Sequence, residues 1–175
     1  MGDKIDKAFD KDTSYRTLEL VNSWITAADS KSSILLAFIA LLVGLTSNSY
    51  SKIVDVILNG NNVSITFGII IAVLYLLVLF LVIYNLILVF TARLKTGLSI
   101  DHTNLVSFIS VSNMTDQEYL DLAKKATDKE ICEMILKQVN INSKIAYQKM
   151  KQFNKALMYS FILIPLTIIL VTFSG

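Results

Sequence analysis

The stretch WITAADSKSSILLAFIALLVGLTS, residues 24–47, decides how the chain is read. Its apolar run, Ile34 to Leu45, has twelve residues and no charge, and as a helix it covers only about 18 Å of a hydrocarbon layer roughly 30 Å thick. A crossing helix must therefore extend backwards to about Trp24, which carries Asp29 and Lys31 to the edge of the bilayer. Lys31 has a stem long enough to reach headgroups, whereas Asp29 has a single methylene and needs a partner or water. The two point to opposite sides of the helix and do not pair with each other. Asp29 is read either as one half of a structural interhelix pair or as a functional acid, lining a water-filled path or sensing ligand-driven movement.

At about 100° per residue, Thr26, Asp29, Ser30, Ser33, Ala37, Ala40, Gly44 and Ser47 share an arc of roughly 100°. Trp24, Lys31, Leu35, Phe38, Leu42 and Leu45 lie opposite. Small residues let helices approach closely in lipid, so the small stripe is expected to pack and the bulky face to meet lipid.

Composition supports a membrane protein: 54% of the 175 residues are hydrophobic and 17% charged. The first twenty residues are polar and no cleavage-site pattern follows the first apolar run, so no secretory signal peptide is expected. One Cys and one His exclude an internal disulfide and most metal chemistry. No nucleophile–base pair, metal cluster or phosphate loop can be assembled, so no catalytic residue, metal site or enzymatic activity is expected, nor any nucleic-acid partner.

Residues 1–12 alternate Asp and Lys and read as a mobile tail. Asp12 or Thr13 can cap a long helix over 13–47 that includes the first span. Residues 48–64 form a turn-rich loop, in which Ile53 to Leu58 suit a short interfacial helix. Ile65 to Phe90, twenty-six residues without a charge, is the second span, and Asn85 is its strongly polar side chain, suited to bonding Asp29 or Ser33 of the first helix. Residues 91–155 are a helical region and 156–173 a third span, with Pro165 placed to kink it. Ten Lys and Arg lie in 91–155, five in the N-terminal arm up to Lys31, and only Lys52 in the loop. This bias places the N-terminus and 91–155 in the cytoplasm and the loop outside. The fold class is all-α, with three transmembrane helices, two of them continued into a small cytoplasmic bundle.

Within 91–155, residues 96–113 form an extended or short helical connector. Thr115-x-x-Glu118 and Thr127-x-x-Glu130 match the capping box and mark two helix starts, the second running unbroken into the third span. On that helix Ile131, Ile135, Gln138, Asn142, Ile145, Lys149 and Phe153 share a face. Its polar members either fix the register of a coiled-coil-like seam or line a pocket in which amides read a small polar ligand and Lys149 faces its negative charge.

Trp24-x-x-x-Ala28-Asp29-x-Lys31, the short apolar run, the second span, Phe108, Glu118-Tyr119, Gln138 and Ile145-Ala146-x-x-Lys149 before a last apolar segment resemble, in that order, the transmembrane effectors of Pycsar antiphage defence. The resemblance covers the chain from about residue 15. It implies an inner-membrane effector, oligomeric in its own copies and linked to a nucleotide cyclase, that binds cyclic CMP or cyclic UMP and disrupts the bilayer so that the infected cell stops supporting phage. Ligand-contact residues under that reading are Gln138, Asn142, Lys149, Tyr119 and Phe108. Those coupling ligand to membrane are Asp29, Lys31, Ser33, Gly44 and Asn85. The competing reading is a constitutive membrane scaffold or accessory subunit with no nucleotide ligand.

Overall fold

A computed structural model describes residues 10–47, 49–91 and 104–173. Every regular element among them is an α-helix: α1 (Lys11–Thr46), α2 (Ser49–Asn59), α3 (Asn62–Thr91), α4 (Phe108–Ser112), α5 (Asp116–Lys125) and α6 (Asp128–Phe173). α1, α3 and α6 are each long and apolar enough to cross a membrane. The basic residues Arg93 and Lys95, His102, the tail up to residue 9 and the first part of the 96–113 connector lie outside the described residues.

Helix starts follow local chemistry. α1 begins two residues before the expected Thr13 and is capped by neither Asp12 nor Thr13: the Asp10 carboxylate accepts from the Thr13 amide at 2.7 Å. The first turn of a helix leaves its amides unpaired, and a side chain three residues back reaches them. α5 starts with a reciprocal cap, in which Thr115 Oγ1 accepts from the Glu118 amide at 3.3 Å and Glu118 Oε2 accepts from the Thr115 amide at 2.8 Å. Thr127 and Glu130 repeat the geometry at the start of α6, at 3.3 and 2.8 Å. α6 then continues through Pro165 to Phe173. Pro165 has no amide hydrogen to give the Phe161 carbonyl, and the helix absorbs that loss.

The chain divides into two compact units, Met1–Ala27 with Ala92–Gln148 and Ala28–Thr91 with Lys149–Gly175. In the first, Ile25, Ile145 and Ala146 are buried and Ile141 packs on them. The second holds the three apolar segments. Its core gathers Leu35, Ile39 and Leu42 from α1, Ile53 from α2, Ile71, Tyr75, Val78, Val82 and Leu86 from α3, and Ala156, Leu163, Leu166 and Leu170 from α6.

Burial in the second unit repeats every seven residues. In α3 the buried positions are Gly68, Ile71, Tyr75, Val78, Val82, Asn85 and Val89, alternating three and four apart, with Leu86 buried beside them. In α1 they are Ala28, Ser32, Leu35, Ile39, Leu42 and Thr46. A repeat of 3.5 residues against a helical 3.6 is the signature of knobs-into-holes packing with a left-handed twist.

That seam reverses the expected orientation of α1. Thr26, Ser30, Ser33, Ala37, Ala40, Gly44 and Ser47 are all exposed, and a Cβ built on Gly44 meets nothing within 4 Å. Leu35 and Leu42, expected to face lipid, are buried, whereas Trp24, Phe38 and Leu45 do point outward. The physical reason is the neighbours: the partner segments present Ile, Leu, Val and Tyr, which fill space against Leu and Ile better than against Ala and Gly. Small hydroxyls tolerated in the seam bond their own helix, as Ser32 Oγ does to the Ala28 carbonyl and Ser160 Oγ to the Ala156 carbonyl, both at 2.8 Å. Asn85 does likewise. Its Nδ2 donates to the Leu81 carbonyl at 2.7 Å, replacing the expected bond to Asp29 or Ser33.

Two outcomes are expected. Gly44→Leu leaves the thermal unfolding midpoint of the detergent-solubilised protein within a few degrees of wild type, while Ala28→Leu, at a fully buried position, lowers stability by about 1–3 kcal/mol. Cap bonding holds the Glu118 and Glu130 carboxyls below the ordinary value of 4.5, first through the backbone amides of Thr115 and Thr127 and then through their hydroxyls. A depressed carboxylate stabilises the fold above its ordinary value and loses that contribution as pH falls through the folded-state value. The Thr115 and Thr127 amide NMR signals should therefore titrate below pH 4.5, and Glu130→Gln should abolish the titration at Thr127 alone.

Candidate functional site: a buried ion pair and an amide chain

Among the described residues, each unit holds a polar cluster that joins α1 to α6. In the second unit Asp29 and Lys149 form an ion pair, Lys149 Nζ donating to Asp29 Oδ1. The Lys149 side chain is 2% exposed and that of Asp29 32%. Ile145 and Ala146 are buried one turn before Lys149 and Ala156 two turns after it, so the ammonium reaches its partner from a wall of apolar side chains. A charge taken from water costs several kcal/mol unless an opposite charge and hydrogen bonds meet it, and Asp29 supplies both.

Position explains why α1 can offer that acid. Asp29 lies on the flank of the buried seam, one turn from Ile25 and Ser32, rather than at its centre. From Asp29 to Thr46 the helix measures about 26 Å, less than a bilayer core, a length that suits the pair to a level near the edge of that core. Lys31 on the opposite side is exposed, as are Lys151 and Lys155 of α6. Their long stems suit the same level, where headgroup phosphates lie.

In the first unit three amides form a chain. Gln138 Nε2 donates to Asn142 Oδ1 at 2.8 Å, and Asn142 Nδ2 donates to Asn22 Oδ1 of α1 at 2.7 Å. Every donor in the chain points the same way. The far end is incomplete: Gln138 Oε1 is a buried atom with no hydrogen-bond partner. A buried acceptor without a donor costs roughly 1–3 kcal/mol, and an incoming N–H or O–H recovers it. Elsewhere in the unit Ser14 Oγ lies 3.1 Å from Cys132 Sγ, and Lys11 Nζ is 3.0 Å from an Asp128 carboxylate oxygen in an exposed pair.

The residues expected to bind ligand are thus divided. Gln138 and Asn142 come together, with Asn22 as an unforeseen third member. Lys149 is engaged by Asp29. Phe108 on α4 is 83% exposed and Tyr119 on α5 is exposed, so neither ring is enclosed. Among the residues expected to couple to the membrane, Asp29 is paired, Lys31, Ser33 and Gly44 face outward, and Asn85 is buried but bonded within α3.

A sequence profile of the Pycsar effector protein domain matches residues 13–175. The chain belongs to that family. Membership makes it an effector of antiphage defence, ties it to cyclic-nucleotide signalling, and agrees with the three helices able to span a membrane. The profile takes in both clusters, Asp29–Lys149 and Asn22–Asn142–Gln138, as well as all six helices except the first two residues of α1. No characterised protein and no solved structure matches the chain.

Unequal burial of the pair makes its two neutralisations unequal. Asp29→Asn strands a fully buried ammonium and is expected to cost about 3 kcal/mol, whereas Lys149→Met leaves a carboxylate that water can reach and should cost about 1 kcal/mol. Thermal unfolding of both variants in the same detergent checks the order.

Proposed function

We propose that this Pycsar effector binds a cyclic pyrimidine mononucleotide, cyclic CMP or cyclic UMP, and responds by disrupting the inner membrane of the infected cell. The ligand comes from a nucleotide cyclase. The effector acts as an oligomer of identical chains, with its N-terminus and the first unit in the cytoplasm, and its action ends in abortive infection. The observation that carries this reading is the buried, orphaned Gln138 Oε1 at the end of a unidirectional amide chain that runs out to the exposed Asn22. The cytosine amino group or the uracil ring N–H is the kind of donor that oxygen lacks.

The ligand's leverage follows from helix continuity. α1 and α6 are each one continuous helix that contributes residues to both units, so a ligand that favours one rotamer set on the amide chain would also bias the helices that bear Asp29 and Lys149. It can shift the balance of two packings only by its differential affinity for them, and a hundredfold preference supplies about 2.7 kcal/mol. That is of the order of the ion pair's own contribution.

One observation favours a second reading. The small-residue side of α1, from Thr26 to Ser47, faces outward, where a constitutive scaffold or accessory subunit would meet another membrane protein without any nucleotide.

Titration calorimetry of the full chain in detergent separates the two. The proposal expects heat from cyclic CMP or cyclic UMP, little from cyclic AMP or cyclic GMP, and at least a tenfold loss of affinity in Gln138→Leu, about 1.4 kcal/mol. In cells supplied with the bound nucleotide, depolarisation should follow in wild type and fail in Gln138→Leu at equal expression. Absence of binding by all four nucleotides would leave the scaffold.

A further inference from the structure

We propose that α2 is a lipid-interface anchor, whose Val54–Leu58 edge lies among the headgroup-proximal acyl chains of the leaflet farther from the Asp29–Lys149 pair. The inference concerns how the spans are held in the bilayer and does not depend on a nucleotide.

Three sectors of the helix carry it. Ser49 and Ile53 are buried, Ile53 within the core formed by α1, α3 and α6, and α2 packs on α3. Lys52 and Asp55 form an exposed polar sector. Val54 and Leu58, one turn apart and on the side away from Ser49, are exposed as well, Leu58 to 71%. A helix at a protein–water surface would need two sectors, one apolar and one polar. The third, apolar and unpacked, asks for a medium other than water or the protein core.

The chain's connections say which medium. Thr46 and Ser49 are three residues apart, as are Asn59 and Asn62, so neither end of α2 can lie more than about 11 Å from the end of a span. At that distance the helix is within the interfacial layer that flanks the hydrocarbon core. The spans also expose apolar side chains in the turns nearest its two ends: Leu41 and Leu45 on α1, and Val63, Phe67 and Ile70 on α3. The same lipid that covers those side chains reaches Val54 and Leu58. An amphipathic helix lying in the interface buries its apolar face about 5–10 Å deep, while its charged residues stay at headgroup level, as Lys52 and Asp55 would.

Anchoring there gives α2 a task. A 30-residue α3 measures about 45 Å, longer than the bilayer core, and an interfacial helix fixed to its N-terminal end sets how much of that excess is taken up by tilt.

The single Trp24 makes a direct test possible. In a Trp24→Phe background, Leu58→Trp and, as the control on the polar sector, Asp55→Trp are placed in vesicles of phosphatidylethanolamine and phosphatidylglycerol. Circular dichroism verifies folding of each. The proposal expects blue-shifted emission from Leu58→Trp, quenched more by lipids brominated near the headgroup than by lipids brominated near the chain terminus. Asp55→Trp should emit as in water and be quenched by iodide. Emission of Leu58→Trp that is red-shifted and quenched by iodide would place the edge in water. Emission quenched by neither iodide nor either lipid would place it against protein, as in a contact between copies. Each of those results overturns the proposal.

Discussion

A charge that has left water must find its opposite, and the arrangement of this chain follows from that constraint at one point. Lys149 stands in the middle of α6, between buried Ile145 and buried Ala156, where an unpaired ammonium would be prohibitively costly. Asp29 can satisfy it only if α1 is held at one height and one rotation. A helix turned by one position presents Ser30 instead, and one slid by a turn presents Ile25 or Ser33. The apolar contacts of Leu, Ile and Val above the pair supply most of the favourable energy but tolerate many registers. The ion pair discriminates among them, which is the best-attested use of buried charge.

Around that fixed point the second unit packs with a seven-residue rhythm. Bulky side chains alternate three and four apart along α3, and α1 answers with Leu35, Ile39 and Leu42. Small hydroxyls in the seam turn back on their own carbonyls and cost nothing in unsatisfied bonds. A polar contact joins the C-terminal end of α1 to the middle of α3, where Thr46 Oγ1 and the buried Tyr75 hydroxyl lie 3.4 Å apart. Only 28% of the most apolar window of α1 and of α3 is buried, so the rest of each must meet lipid or further helices. The exposed Ala37, Ala40 and Gly44 are the part of that surface where another helix could come nearest.

Much of this was legible in the residues. Length and charge mark the spans, the two Thr-x-x-Glu sequences mark the starts of α5 and α6, and an acid too short to snorkel calls for a partner. The orientation of α1 was not legible. Helical periodicity identifies two faces but not which one packs, because that depends on the side chains other helices bring, and Ile, Leu and Val from α3 and α6 selected the bulky face. Asn85 illustrates the same limit, since a polar side chain in a span can bond its own preceding turn as readily as a neighbour. Lys149 and Asp29 were each singled out, yet pairing them needed the register of two helices 120 residues apart. Asn22 gave no signal of its own. It is one exposed amide on a long helix, and only Asn142 opposite gives it a role.

These polar groups share two continuous helices: an amide chain with an unpartnered acceptor on one part of α1 and α6, an ion pair on another. Coupling of α1 to α6 through the Asp29–Lys149 pair is tested most directly by a double-mutant cycle. Unfolding is measured for wild type, Asp29→Asn, Lys149→Met and the double variant. If the two side chains act on each other, the double variant is more stable than Asp29→Asn alone, because the stranded ammonium has gone. Strict additivity of the two single losses would show that they do not interact and that the pair does not set the register of α1 on α6.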